Sequence, residues 1–307
     1  MLLDLLMALG ILPGLASETV LTVGQGQAYA LPSDAARAAG PGDIVRIFPG
    51  TYADCATWLA NGLVIEGAGP NVVFAGKICA GKAIFVTVGN DITIRNITFT
   101  AARAASHNGA GIRAEGANLT VEDSRFIDNE NGILTAANPA STIEIKNSTF
   151  RGNGNCIEDC THGIYAGHIA LLRVENSNFE QQHVGHHIKS RAARTEIIHN
   201  RVQDGPEGSS SYLVDLPNGG SAVISGNIFE KGPHSSNKHT AISIGAEKET
   251  NPAGDIVVED NSFSNHSGVA TAFIRNYTGR AIVLRKNRLS GNVTPVAEPA
   301  QEATARP

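Results

Sequence analysis

From about residue 90 onward the chain alternates apolar and polar positions with the period of a strand, in short runs, and shows no helical spacing. Eight of these runs share one pattern: an apolar anchor, polar or small positions, a small or amide residue, then usually Phe. They close at Phe99, Phe126, Phe150, Phe179, Val202, Phe229, Phe263 and Leu289. Their anchors are Ile94, Val121, Ile145, Val174, Ile197, Ile224, Val258 and Leu284, spaced 27, 24, 29, 23, 27, 34 and 26 residues apart. A period in this range with strand-like alternation predicts one coil of a solenoid per repeat. A single coil cannot bury its apolar face alone, so it must stack on its neighbours.

The slots of the repeat predict the interior. Six of the ten Phe fall at the same position, which implies an aromatic stack running along the axis. Three residues after the anchor the column reads Ile97, Ser124, Ser148, Ser177, Asn200, Asn227, Asn261, Asn287, and its four successive Asn predict an amide ladder. The uneven spacing places long loops chiefly at 136–140, 152–161 and 232–239. The sequons at Asn96 and Asn147 lie inside the repeat and read as turn chemistry.

Composition agrees with an all-β chain. Of 307 residues 42% are hydrophobic and 17% charged, enough for a large core, and 33 Gly with only 5% aromatics favour short strands and tight turns over long helices. With 24 Lys+Arg against 29 Asp+Glu the formal net charge is −5, so there is no basic excess to bind nucleic acid.

Residues 1–17 combine an apolar stretch too short to span a bilayer with a small-x-small pattern at Gly14 and Ala16. They read as a signal peptide, although Asp4 stands where a cation is usual. Export to a secreted or periplasmic location follows, and no later segment is apolar enough for a membrane span. The cysteines fit an oxidising compartment. Cys55 and Cys79 lie 24 residues apart, about one coil, while Cys156 and Cys160 sit four apart in a Gly/Asn-rich loop, so two disulfides are expected rather than zinc ligands. The β domain is assigned to 18–292 and a disordered, Pro/Ala/Glu-rich tail to 293–307; a monomer is the oligomeric state favoured.

The repeat resembles that of the right-handed parallel β-helix, or pectate-lyase-like, superfamily. The entry segment is similar too: Leu31-Pro-Ser-Asp-Ala-Ala-Arg-Ala-Ala reads as a short capped helix, followed by Gly42-Asp-Ile-Val-Arg-Ile and Phe48-Pro-Gly-Thr-Tyr. The resemblance implies a single-stranded right-handed parallel β-helix whose N-terminal end is plugged by that helix. One scaffold of this kind hosts several chemistries.

Function on such a scaffold must come from outward residues stacked in neighbouring coils. The second strand of each repeat aligns on inward Ile112, Ile133, Ile164, Ile188, Val214 and Ile242. Alternation then gives an outward column of Arg113, Leu134, Tyr165, Lys189, Asp215 and Ser243. The column before it holds Gly163, His187 and Leu213, and the one after it Glu115, Gly167, Arg191 and Gly245, the glycines leaving bare surface for a ligand. His162 is expected to point inward. Five of ten His fall between 162 and 187 (His162, His168, His183, His186, His187), without the spacing of a metal motif.

The richest polar spot is the coil at 185–191, and the chemistry it suggests is attack on an acidic polysaccharide. β-Elimination needs a base for the proton next to the carboxylate, a cation on that carboxylate, and an acid for the leaving oxygen. Lys189, its ammonium disfavoured by Arg191 and His187, supplies the base; Arg191 pairs the carboxylate; Tyr165 or His187 donates the proton. Asp215, Arg113, Glu115, His162 and His168 are candidate substrate contacts, Arg113 and Glu115 lying two coils away along a sugar chain.

The run at His187-Ile-Lys-Ser is similar to the Lys-Ser motif of alginate and chondroitin lyases in this superfamily, which implies a lysine base assisted by arginine. Calcium is the one cofactor the resemblance brings into view, and no ligand set for it is identifiable, so no metal site is assigned. A uronan C5-epimerase and a non-catalytic polysaccharide-binding or envelope solenoid remain alternatives. A glycoside hydrolase would need paired outward carboxylates.

Overall fold

A computed structural model describes residues 19–298. The chain winds through about ten coils whose strands stack in register into three parallel sheets of 11, 10 and 10 strands. The first sheet runs from Val20–Val23 to Val283–Arg285, the second from Gly50–Tyr52 to Arg288–Ser290, and the third from Ala56–Trp58 to Val293–Ala297. The anchors of the repeat are the inward residues of the first sheet, with Ile94, Val121, Ile145, Val174, Ile197, Ile224 and Val258 fully buried.

The Phe slot forms the inner row of the second sheet. Phe99, Phe126, Phe150 and Phe179 stack with centroids 5.2, 4.7 and 4.6 Å apart, the coil spacing of a parallel sheet. Val202 interrupts the row, Phe229 and Phe263 resume it, and Phe263 packs on Phe273 of the third sheet at 5.1 Å. At the bend between the first two sheets the amide ladder is present. The Asn200 N–H and side-chain amide both donate to Asn227 Oδ1, Asn227 repeats this to Asn261, and Asn261 to Asn287. Ser124, Ser148 and Ser177 continue it with hydroxyl acceptors. Each rung satisfies backbone groups that the bend removes from the sheets. Asn96 and Asn147, one position earlier, adopt left-handed φ of 57° and 51°, the conformation Asn tolerates in a turn.

The helix Pro32–Ala38 closes the N-terminal end with Pro32, Ala35 and Ala36 buried. Its cap is not local: Leu31 offers no side-chain acceptor, and Asp54 from the following coil takes the Ser33 N–H at 2.9 Å. Both disulfides form, Cys55–Cys79 and Cys156–Cys160.

Two expectations about the fold need correction. Residues 293–297 belong to the solenoid: Val293–Ala297 pairs with Thr271–Asn276 as the last strand of the third sheet. Most of the loop placed at 136–140 is extended chain, inside the long strand Asn138–Lys146. A further loop at 245–255, between the third and first sheets, went unrecognised. Residues 1–18, with the signal-peptide reading, and 299–307 lie outside the described residues. Among the described residues no helix is long and apolar enough to cross a membrane.

Candidate functional site

The third sheet carries the candidate site. Its inward row is Ile112, Ile133, Ile164, Ile188, Val214 and Ile242, all fully buried, and these pair in register from coil to coil. That register places Arg113, Leu134, Tyr165, Lys189, Asp215 and Ser243 side by side on the outer surface, as alternation requires. Over this row lies a cleft of about 720 Å³. Its floor is Arg113, Leu134, Tyr165 and Lys189; Ser106–Asn108 and Glu158–Thr161 line it from the loops that enter the third sheet, and Glu247 from the loop that leaves it. The Cys156–Cys160 disulfide ties the second of the entering loops.

At one end of the floor four charged side chains, Lys189, Arg191, Asp215 and Glu247, lock together. Lys189 Nζ lies 2.8 Å from Glu247 Oε1 and 3.4 Å from Asp215 Oδ2. Arg191 spreads its guanidinium over three acceptors: Nε donates to Tyr165 Oη at 2.8 Å, Nη1 to Asn218 Oδ1 at 2.6 Å, and Nη2 to Glu247 Oε2 at 2.5 Å. Its guanidinium carbon also sits 5.8 Å from the centre of the Tyr165 ring. Glu247 therefore spans Lys189 and Arg191 with one oxygen on each. Burial raises its carboxyl, but the hydrogen bonds from both cations outweigh this and hold it below the usual carboxylate range.

Asp215 behaves differently. It is buried beneath Lys189, and burial pushes its carboxyl up against the opposing pull of the ammonium. Neither its Oδ1 nor the Oγ of its register partner Ser243 makes a well-formed hydrogen bond.

Beside the floor runs a second outer row that alternation misplaced. Ala110, Asn131, His162, His186 and Tyr212 each precede an inward residue by two, yet His162 and His186 line the cleft. Their rings stack 4.8 Å apart, and His186 stacks on Tyr212 at 4.9 Å. Each ring is locked by the next coil: the His186 N–H donates to His162 Nδ1 at 3.0 Å and the Tyr212 N–H to His186 Nδ1 at 3.1 Å. With Nδ1 accepting, the proton sits on Nε2. Burial lowers His186 to about 3, aided by Lys189, and lowers His162 well below the ordinary value, with His186 and Lys189 adding to it. Both shifts favour the neutral ring, which donates through Nε2.

The reversal has a steric cause. The intervening residue is Gly at 111, 132 and 163, and a side chain at Gly111 or Gly132 would meet the ring of Phe126 or Phe150 at 2.8 or 2.7 Å. The chain bends there, so that the residue next to the inward Ile faces the Phe stack and the one before it faces out. Gly163 accordingly makes room for the backbone of His187, not for a ligand.

His187 falls in that inner position. It is buried edge-on to Phe179, and its Nε2 meets Asp204 Oδ1 at 3.1 Å, so it is not a proton donor in the cleft. His162, expected inside, is outside. Lys189 is flanked by carboxylates as well as by Arg191.

The remaining candidates divide. Arg113 lines the cleft, its Nε without a hydrogen-bond partner and 3.8 Å from Glu115, and Leu134 and Tyr165 stand between it and Lys189. Glu115 turns to Lys82 at 2.5 Å, and His168 is exposed; neither lines the cleft. Glu247, Asn218 and His186 were missed. The recurring Gly before the inward Ile could have revealed His186, whereas Glu247 sits in a loop that no periodicity reaches. Among the described residues no three His, Cys, Asp or Glu side chains converge as metal ligands.

In comparisons with solved structures, the chain superposes on an alginate lyase from Paenibacillus sp. str. FPU-7 with TM-score 0.58 and 15% identity, covering 91% of this chain and 99% of that one. The pectate lyase Pel9A gives 0.56 at 14% identity over 93% and 80%. The catalytic unit of a GH87 α-1,3-glucanase from Streptomyces thermodiastaticus strain HF3-3 gives 0.50 at 13% over 88% and 62%. At such identities the likeness is one of fold. No curated protein matches by sequence. A family model described as "Right handed beta helix region" matches residues 54–158 and 137–297, most of the chain, and the protein belongs to that family of right-handed parallel β-helices.

Proposed function

We propose that the protein is an exported, carbohydrate-active β-helix that cleaves a uronic-acid-containing polysaccharide by β-elimination in the cleft over Lys189. The observation that carries this reading is the convergence of Lys189, Arg191 and Tyr165 on one outer patch, within hydrogen-bond reach of a common partner or of each other. A groove along the coils suits an extended polymer, and two of the superposed proteins are named as polysaccharide lyases. The two disulfides suit an oxidising, extracytoplasmic compartment.

In the reaction Lys189, acting as the free amine, takes the proton from C5 of the uronate. The electron pair forms the C4–C5 double bond and expels the glycosidic oxygen, which must receive a proton. Arg191 offers the Nη2 that now holds Glu247 to the carboxylate as charge builds on it, while Nε and Nη1 stay on Tyr165 and Asn218. Tyr165, whose oxygen accepts from Arg191, keeps its own O–H for the leaving group. His162 replaces His187 in the reading as a neutral Nε2–H donor to a sugar hydroxyl. Asp215 Oδ2, 3.4 Å from Lys189 Nζ and 3.6 Å from His186 Nε2, positions Lys189.

The test is ultraviolet absorbance of unsaturated uronic ends on a panel of alginate, pectate, glucuronan and glycosaminoglycans, with and without calcium. Lys189→Ala is expected to lose roughly 10²–10⁴-fold in rate, the usual contribution of a positioned base. An unchanged rate in that variant would remove the site from the reaction. Binding without turnover is the second reading, favoured by one observation: Lys189 is already tied to two carboxylates. Glycan retention with no absorbance change, and no proton exchange at C5, would select it; C5 exchange alone would select an epimerase.

A further inference from the structure

We infer that Glu247 is an internal occupant of a carboxylate subsite, and that its two oxygens mark where the carboxylate of a uronic acid residue binds. The inference rests on the proposed function in that it assigns the ligand to the same cleft, and it names the chemical class independently of turnover. Glu247 places Oε1 on Lys189 Nζ and Oε2 on Arg191 Nη2, at 2.8 and 2.5 Å. One carboxylate bridging two cations that project from the same coil, two residues apart, is the arrangement a bound ligand carboxylate takes.

The subsite does not need Glu247 in order to exist. With Glu247 withdrawn, Lys189 keeps Asp215 at 3.4 Å, and Arg191 keeps Tyr165 and Asn218 at 2.8 and 2.6 Å. The cations therefore stay in place when the acid leaves, and the cost of exchanging one carboxylate for another is small. Nor does the loop need to move. The Glu247 N–H is held by Pro217 O at 2.9 Å and Lys248 O by the Asn218 amide at 3.1 Å, while Gly245 and Lys248 turn the chain at φ of 83° and 75°. The Glu247 side chain is 45% exposed and can swing out about its own torsions.

An internal carboxylate competes as a tethered ligand at an effective concentration of millimolar order or above. A single uronate, held by two contacts, competes poorly. A polymer that also engages His162 and the Arg113 guanidinium along the floor gains further contacts and displaces Glu247. Glu247 thereby makes the site answer to chains and reject monosaccharides.

The experiment is binding of sodium glucuronate, galacturonate, mannuronate and acetate, with glucose and galactose as uncharged controls, to the full chain and to Glu247→Gln, Glu247→Ala and Arg191→Ala, by calorimetry or ligand NMR. Glu247→Gln and Glu247→Ala should each bind at least one uronate tenfold or more tighter than the parent, with no gain for the uncharged sugars. Arg191→Ala combined with Glu247→Ala should abolish the gain. A thermal melt checks that these surface variants are folded. Equal affinity in parent and Glu247 variants, or an equal gain for uncharged sugars, overturns the inference. A uronate gain without elimination on any polymer keeps the carboxylate subsite and sinks the lyase reading; elimination by the parent with no uronate gain does the reverse.

Discussion

Two lysines of this solenoid sit in similar company and do different things. Lys189, in the third sheet, lies between Asp215 and Glu247 at the cleft floor. Lys231 is wholly buried, 3.8 Å from Asp204, and donates to the carbonyls of Ser210 and Ser211. Asp204 in turn takes His187, Ser235 and the Gly232 N–H, so that loops from three coils are tied to one carboxylate. Both clusters hold a lysine, an aspartate and a nearby histidine. What separates them is the partner that water can reach: Lys231 has none, while Lys189 has Glu247, which can leave. Full enclosure makes the inner cluster structural, and one exposed contact makes the outer one a candidate site.

The largest expected effect lies in the inner cluster. Asp204→Asn leaves the Lys231 ammonium enclosed without its counter-charge, which costs about 3–5 kcal/mol when one partner of a buried pair is removed. Denaturant unfolding should show that loss, or the variant should fail to accumulate as folded protein. Asp215→Asn, with Glu247 still on Lys189, should cost clearly less. If the two variants melt alike, burial is not what distinguishes the clusters.

The pH dependence sharpens the same contrast. Burial lowers Lys231 to about 8, with Asp204 opposing, while in the unfolded chain it titrates near its ordinary value of 10.5. Between these values the unfolded state binds more protons, so this group makes stability rise with pH from about 8 to about 10.5. Asp204 works at the other end. Burial raises its carboxyl, but the bond from His187 and the charge of Lys231 hold it below the carboxylate range, so its stabilisation is present above about pH 4 and lost as pH falls below that. Melting curves of Lys231→Met should lack the alkaline rise, and the same rise in both proteins would assign it elsewhere.

How much of this was legible in the sequence follows from where period two holds. From each inward Ile or Val onward it holds, so the inward row from Ile112 to Ile242 and the outward row from Arg113 to Ser243 came out in correct register. Just before the inward Ile it fails, at the second residue of the strands Ala110–Ala114 and Asn131–Thr135 and ahead of Ile164–Ala166, because Gly111, Gly132 and Gly163 let the chain turn against the Phe stack. That local failure exchanged His187 with His186 and His162. Glu247 was invisible for a different reason: it belongs to an irregular loop, whose contacts depend on three-dimensional closure and leave no periodic trace.

The smallest expected effect tests the ring ladder. His162 and His186 accept backbone N–H groups through Nδ1, which an Asn side chain can also do, as Asn131 does one coil earlier for the His162 N–H at 2.9 Å. His186→Asn should therefore retain the acceptor and lose the stacking on His162 and Tyr212, a stability change of about 1 kcal/mol, of the order given by an aromatic pair. His186→Leu loses the acceptor as well, leaves the Tyr212 N–H unpaired, and should cost roughly 1–3 kcal/mol more. Because both rings are neutral, neither variant should alter the pH profile of any cleft activity between pH 5 and 8, and a shift there would show that an imidazole of the cleft carries charge. The Asn and Leu variants together separate what the rings do as acceptors from what they do as surface: only a loss of polysaccharide affinity in the folded Asn variant would make His186 part of the binding floor.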